Sequence, residues 1–191
     1  MKKNHFYHFA LLLFICQFAT LFASAQATQP VIAYVSIEGQ KSGMFKGNAI
    51  SEGNEGKIEC IGFRYSVAVP HDAESGKSNG KRQHSPFVII KYIDYSTPQL
   101  LQSAYSNETL KNVVIEFMKS DRQGRPTIYY KVTLSNATIS QISQYGGVAS
   151  ADSGVNLNSK GGQFEEVSFN FENIEIDHLI GNTSATDNWR R

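Results

Sequence analysis

Cysteine is almost missing from this chain. Of 191 residues only Cys16 and Cys60 are cysteines, and the two lie in stretches of different character. Excess charge is missing as well: 18 Lys and Arg stand against 17 Asp and Glu. Non-specific nucleic-acid binding needs a surplus of basic groups, so that class of partner has no electrostatic support. Beyond the first 27 residues there is no long apolar run to cross a bilayer. There is no GxxxxGK[ST] phosphate loop, no nucleophile elbow, no internal repeat, and no linker that would divide two domains.

The N-terminal 27 residues read as a secretory signal peptide. Lys2 and Lys3 form a positive start, Phe9 to Phe22 is apolar but for Gln17 and Thr20, and small-x-small sites follow at Ala23-Ser24-Ala25 and Ala25-Gln26-Ala27. Cleavage is expected after Ala25 or Ala27, with no stable membrane insertion afterwards. The apolar run is short for an anchor, and Ile15 before Cys16 is not the small residue a lipidation site requires. Loss of Lys2 and Lys3 leaves 16 basic against 17 acidic residues. It also leaves Cys60 as a lone thiol, which excludes an intrachain disulfide and a cysteine zinc cluster. In the strand-like "GKIECIGFRY" a buried cysteine acts as a small hydrophobe.

The remainder predicts a mainly antiparallel β protein from residue 28 to 180, with a polar tail from 181 to 191. Val31 to Gln40 places Ala33, Val35 and Ile37 on one face of a first strand. Lys57 to Val69 is a longer strand pattern bent at Gly62. Pro70 to Pro86 is polar, Gly-rich and bounded by prolines, a loop of the length that is usually functional or disordered. Thr97 is an N-cap candidate and Pro98 suits the first helical position of a short helix, with Leu100, Leu101, Ala104 and Tyr105 at helical spacing and Asn107 as its stop. A hairpin carries Val113, Ile115 and Phe117 out and Ile128, Tyr130, Val132 and Leu134 back, turning at Asp121 to Gly124. A further strand through Ala137, Ile139 and Ile142 precedes a second long flexible loop, Tyr145 to Gly162. In "EEVSFNFENIEI" the apolar parity flips between Phe171 and Ile174. Either a β-bulge near Asn173 absorbs the flip or two short strands meet there.

Catalytic groups are few. His71, Asp72 and His84 in or beside the long loop lack zincin spacing and a third ligand, and read as solvated. Lys77, Lys81 and Arg82 read as a solvated or intersubunit face rather than a phosphate site. No cofactor or metal is implied, and the strand Glu165 to Ile176 offers packing rather than chemistry.

"KYIDYSTPQLL" resembles a segment of the Hcp family, the tube subunit of the bacterial type VI secretion system, through Lys91, Tyr92, Ile93, Asp94, Ser96, Thr97, Pro98 and Leu100. A second anchor is Glu165, Val167, Phe169, Asn170, Phe171, Ile174 and Glu175. "YVSIEG" and "GKIECIGFRYSV" look like the family's first and second strands, so the likeness spans residues 34 to 177. It implies an antiparallel β-barrel of two packed sheets with one short flanking α-helix. It also implies hexameric rings stacked into a tube, with spike and sheath components and lumenal effector cargo as partners, and no catalysis. The loop residues His71, Asp72, Glu74, Lys77, Lys81, Arg82 and His84 are expected to meet neighbouring subunits or rings. The signal peptide departs from a family loaded in the cytoplasm. An exported, monomeric β-barrel binding module of the same fold is therefore the alternative. A toxin-like effector fits poorly, since eleven residues after Ile180 hold no enzyme domain.

Overall fold

The computed structural model describes residues 30–146 and 163–188. The segment expected to be a signal peptide, nearly all of the loop expected at Tyr145 to Gly162, and Trp189 lie outside the described residues. The first strand, β1 (Ala33–Gly39), follows its alternation: Ala33, Val35 and Ile37 are fully buried. It pairs antiparallel with the short β2 (Gly43–Met44), with β3 (Ile58–Cys60), and along its length with β8 (Leu110–Ser120).

The bend expected at Gly62 falls one residue earlier. β3 ends at Cys60 and β4 (Gly62–Arg64) begins after Ile61. β3 pairs with β1 and β4 with β7 (Phe87–Tyr92), so the chain passes between two sheets at Ile61, whose N–H donates to the Ile90 carbonyl at 2.8 Å. The barrel is therefore not closed by a continuous ladder; this seam joins its sheets. Cys60 is fully buried and donates to the Gly62 carbonyl at 3.0 Å, and burial pushes its thiol up to about 11. Such a thiol is packing material rather than a nucleophile.

The expected hairpin and the strand after it are one feature. β9 (Pro126–Tyr145) runs 20 residues, pairing with β8 and β11 (Asn173–His178) in its first half and with β10 (Phe164–Asn170) in its second. It changes sheet at Asn136, which takes a φ of 50° that asparagine tolerates better than most residues. The inward parity moves there from Val132 and Leu134 to Ala137.

The parity flip in "EEVSFNFENIEI" is resolved as two strands. β10 ends at Asn170 and β11 begins at Asn173, with Phe171 and Glu172 between them. No bulge occurs at Asn173. The irregularity instead sits opposite Ser168 and Phe169 on β9, where the register slips past Ser140. β10 lies between β7 and β9, and β11 lies between β9 and β12 (Thr183–Asn188). The segment Thr183–Asn188, polar apart from Ala185, is thus an edge strand paired with all of β11.

In helix α1 (Thr97–Tyr105) the N-cap position falls to Ser96 rather than Thr97, without a side-chain capping bond; Thr97 is already in the first turn and its hydroxyl is turned to the barrel. Leu100 and Ser103 are buried, Leu101 and Ala104 half-buried, and Tyr105 is exposed. Asn107, just past the helix, has a φ of 49°. The core gathers Val35, Ile37, Ile89, Leu100, Ile115, Leu134, Val167 and Phe169 from both sheets and the helix. Each fully buried side chain of this size contributes at most about 1.5–3 kcal/mol.

Candidate functional site

The two sequence anchors meet under the start of α1. On β7, Phe87, Ile89 and Lys91 share the inward parity; on β10, Glu165, Val167 and Phe169 share theirs. Pairing of β7 with β10 sets Lys91 directly opposite Glu165, and pairing of β10 with β9 sets Glu165 opposite Gln144. Each inward row thus ends in a charge at the place where the helix covers the sheet. Both Lys91 and Glu165 are 0 % exposed.

Every polar atom of this pair is engaged. Lys91 Nζ lies 2.9 Å from Glu165 Oε1 and 2.8 Å from Asp94 Oδ1, and donates to the Tyr92 carbonyl at 2.7 Å. Glu165 also accepts from the Thr97 hydroxyl at 2.7 Å and from Gln144 Nε2 at 2.9 Å. Asp94 Oδ1 in turn accepts from the Ser96 N–H at 2.8 Å and from its hydroxyl at 2.6 Å. The Asp94 N–H donates to Thr97 Oγ1 at 3.1 Å. A buried ion pair is tolerable only when its remaining donors and acceptors are satisfied in this way. With its three protons directed at oxygens, Lys91 has no chemistry to offer a substrate. The network pins the helix start to two strands.

The other signature residues serve packing or lie at the rim. Leu100, Val167 and Phe169 are fully buried, and Phe171 and Ile174 nearly so; Pro98 and Asn170 are exposed. Glu165 is the polar exception in a strand expected to offer packing, and its part is structural too. A carboxylate at a core-parity position was the available signal. Glu108 was missed too: burial pushes its carboxyl up, but the Ser42 hydroxyl and N–H and the Lys41 N–H outweigh this and hold it below the usual range. It fastens the turn between β1 and β2, and a Cβ on Gly39 would stand 2.6 Å from its Oε1.

Most of the stretch Pro70 to Pro86 is loop and turn, as expected, but it forms the outer part of a paired arm. β5 (Val67–Ala68) pairs with β6 (Gln83–His84), and His71 bridges Ser78, so residues 66–85 form a two-stranded arm with its tip near Asp72. Asp72 Oδ1 accepts from the Ser75 N–H at 2.7 Å, its hydroxyl at 2.8 Å and the Glu74 N–H at 3.2 Å, and these bonds hold its carboxyl low. Glu74, Lys77 and Lys81 are exposed along the arm. His71 is exposed as expected, but His84 is not a solvated loop histidine: its side chain is 4 % exposed. It lies 2.6 Å from the Tyr65 hydroxyl and 2.9 Å from Asp187 Oδ2, with its ring stacked on Tyr65 and edge-on to Phe171. Arg82 binds Asp187 through both Nε and Nη2. The histidines therefore serve different ends of the arm rather than one site.

A family model described as "Type VI secretion system effector, Hcp" matches residues 34–178. The chain belongs to the Hcp family. It is 34 % identical over 167 residues to the "Major exported protein" of Pseudomonas aeruginosa, covering 83 % of this chain and 95 % of that one. Among solved structures it is similar to the secreted protein Hcp3 of Pseudomonas aeruginosa, at 29 % identity and a TM-score of 0.65, covering 83 % of this chain and 99 % of that one. Its fold also matches Hcp1 of Escherichia coli EAEC 042, with a TM-score of 0.70 at 24 % identity, covering 84 % and 99 % of the two chains. Hcp is a family of secreted tube proteins of the type VI system, structural rather than enzymatic. The residues quoted for the resemblance lie inside the matched span.

Proposed function

We propose that this Hcp chain is a structural subunit that closes into hexameric rings, which stack into the type VI secretion tube and shelter small effector cargo in the lumen. Its partners on this reading are itself, the spike and sheath components, and the cargo. The observation that carries it is a set of apolar residues displayed on and beside the arm: Phe63 at 46 % exposure, Val67 at 46 % and Val69 at 47 %. A ribbon that leaves the barrel with its valines in water is suited to lie against another copy. Tyr95 just before α1 and Tyr105 at its end, exposed at 77 % and 74 %, offer a second apolar surface. Two unlike surfaces on one chain make a head-to-tail interface, which closes into a ring when the rotation allows and leaves the faces free to stack. Each contact should bury at least about 1,000 Å². The buried network of Lys91 and Glu165 serves assembly by holding the helix in place, and the subunit carries no catalytic role.

The signal-like start at residues 1–27 favours a second reading, in which the chain is exported by that signal and acts as a monomeric binding module in the periplasm or outside the cell. Sedimentation of the processed protein separates the two. A single species of about six subunits, unchanged on dilution, supports the ring; a monomer at high concentration supports the module. N-terminal sequencing of protein from cells tests export, a start at Gln26 or Thr28 meaning that the signal is used.

A further inference from the structure

The arm and the C-terminal strand belong to no common sheet, yet side chains join them. Among the described residues, β12 pairs only with β11, and the arm pairs only within itself. Between them lies a cavity of about 390 Å³ lined by Pro70, Asn79, Arg82, His84 and Asn188. What crosses this gap is a cluster centred on Asp187. Its carboxylate takes both nitrogens of the Arg82 fork and Nε2 of His84, while Arg82 Nη2 reaches the Asn188 carbonyl at 3.3 Å. On its other side His84 meets Tyr65, whose ring packs on Phe87 and Phe171 of the barrel. The Arg82 bonds hold the Asp187 carboxyl down at about 2, so the anion is present at any ordinary pH.

We propose that β12 is a clasp: Asp187 grips Arg82 and His84 and so sets the direction in which the arm leaves the barrel. The geometry supports this over a merely local ion pair. The gripped residues lie at the base of the arm, where a small rotation moves the tip most, and the planar Arg fork fixes orientation as well as distance. β12 is itself anchored, because Asp187 stands opposite Ile174, a core residue of β11. The consequence for assembly rests on the reading that the arm contacts neighbouring copies. The C-terminal residues then tune ring formation without touching the interface.

Spin labels at Lys77→Cys on the arm and Glu55→Cys on the barrel report the arm's direction by pulsed paramagnetic resonance. Processed protein is used, diluted with unlabelled protein so that only distances within one chain are read. Cys60, fully buried, is not labelled. The clasp predicts a narrow distance distribution that broadens about twofold or more in Asp187→Asn and in Arg82→Gln. Asp187→Glu should restore part of the narrowness, and amide protection in β7 and β10 should stay unchanged. The control Lys111→Gln, which removes the exposed pair with Glu38, should leave the width alone. An unchanged width in both Asp187→Asn and Arg82→Gln overturns the clasp, as does equal broadening in the control. A loosened arm with intact rings upholds the clasp but removes the arm from the assembly interface.

Discussion

Two acid–base clusters in this molecule use the same chemistry at opposite degrees of burial. At the helix start, Lys91 and Glu165 are both wholly buried and every hydrogen-bonding group has a partner. At the C-terminal strand, Arg82 and Asp187 keep 38 % and 23 % of their side chains in water. In the dry cluster, losing one partner strands a charge where nothing can solvate it. In the wet cluster water replaces what is lost, and the bond governs orientation more than stability. The first cluster holds the fold; the second positions an appendage.

The largest expected effect tests the dry cluster. Lys91→Met should destabilise the subunit by about 3–5 kcal/mol, measured by denaturant unfolding, because Glu165 is left charged and buried. Adding Glu165→Leu should recover most of that loss. A double variant as unstable as the sum of the two single ones would mean that Lys91 and Glu165 are not coupled, and would contradict the orphaned-charge account. Glu108 is intermediate, since it is buried but lies beside exposed backbone. Glu108→Ala should cost about 1–3 kcal/mol by the same assay and raise amide exchange at Lys41 and Ser42. An unchanged exchange rate there would remove Glu108 from the turn.

The smallest effect belongs to the wet cluster and appears only in acid. The Asp187 carboxyl is depressed to about 2, facing Arg82, His84 and Tyr65, from an unfolded value near 3.9. Its contribution is complete above about pH 4 and is lost as pH falls toward 2. Amide protection of β12 should weaken across that window in the wild type but not in Asp187→Asn. Loss of protection between pH 5 and 7 instead would point to a different group.

The same contrast explains what could be read in the sequence. β1, β8 and β10 alternate at period two over enough residues to reveal their buried faces, and the motifs around Lys91 and Glu165 are local strings. That these two strings touch follows from the pairing of β7 with β10, 74 residues apart, which no string encodes. The arm was hidden because its strands are two residues long and bury little, so no apolar period marks them. β12 was hidden for a like reason: "TSATDN" is polar apart from Ala185, and only the edge of β11 recruits it. Of the two readings of the parity flip near Asn173, a bulge or two short strands, the second is found, because the chain changes sheets there instead of bending within one.

Electron microscopy of the concentrated, processed protein tests the assembly account most directly. The account predicts annular particles with sixfold symmetry and stacks of them at higher concentration. Fields of single compact particles with no rings at any concentration would contradict it.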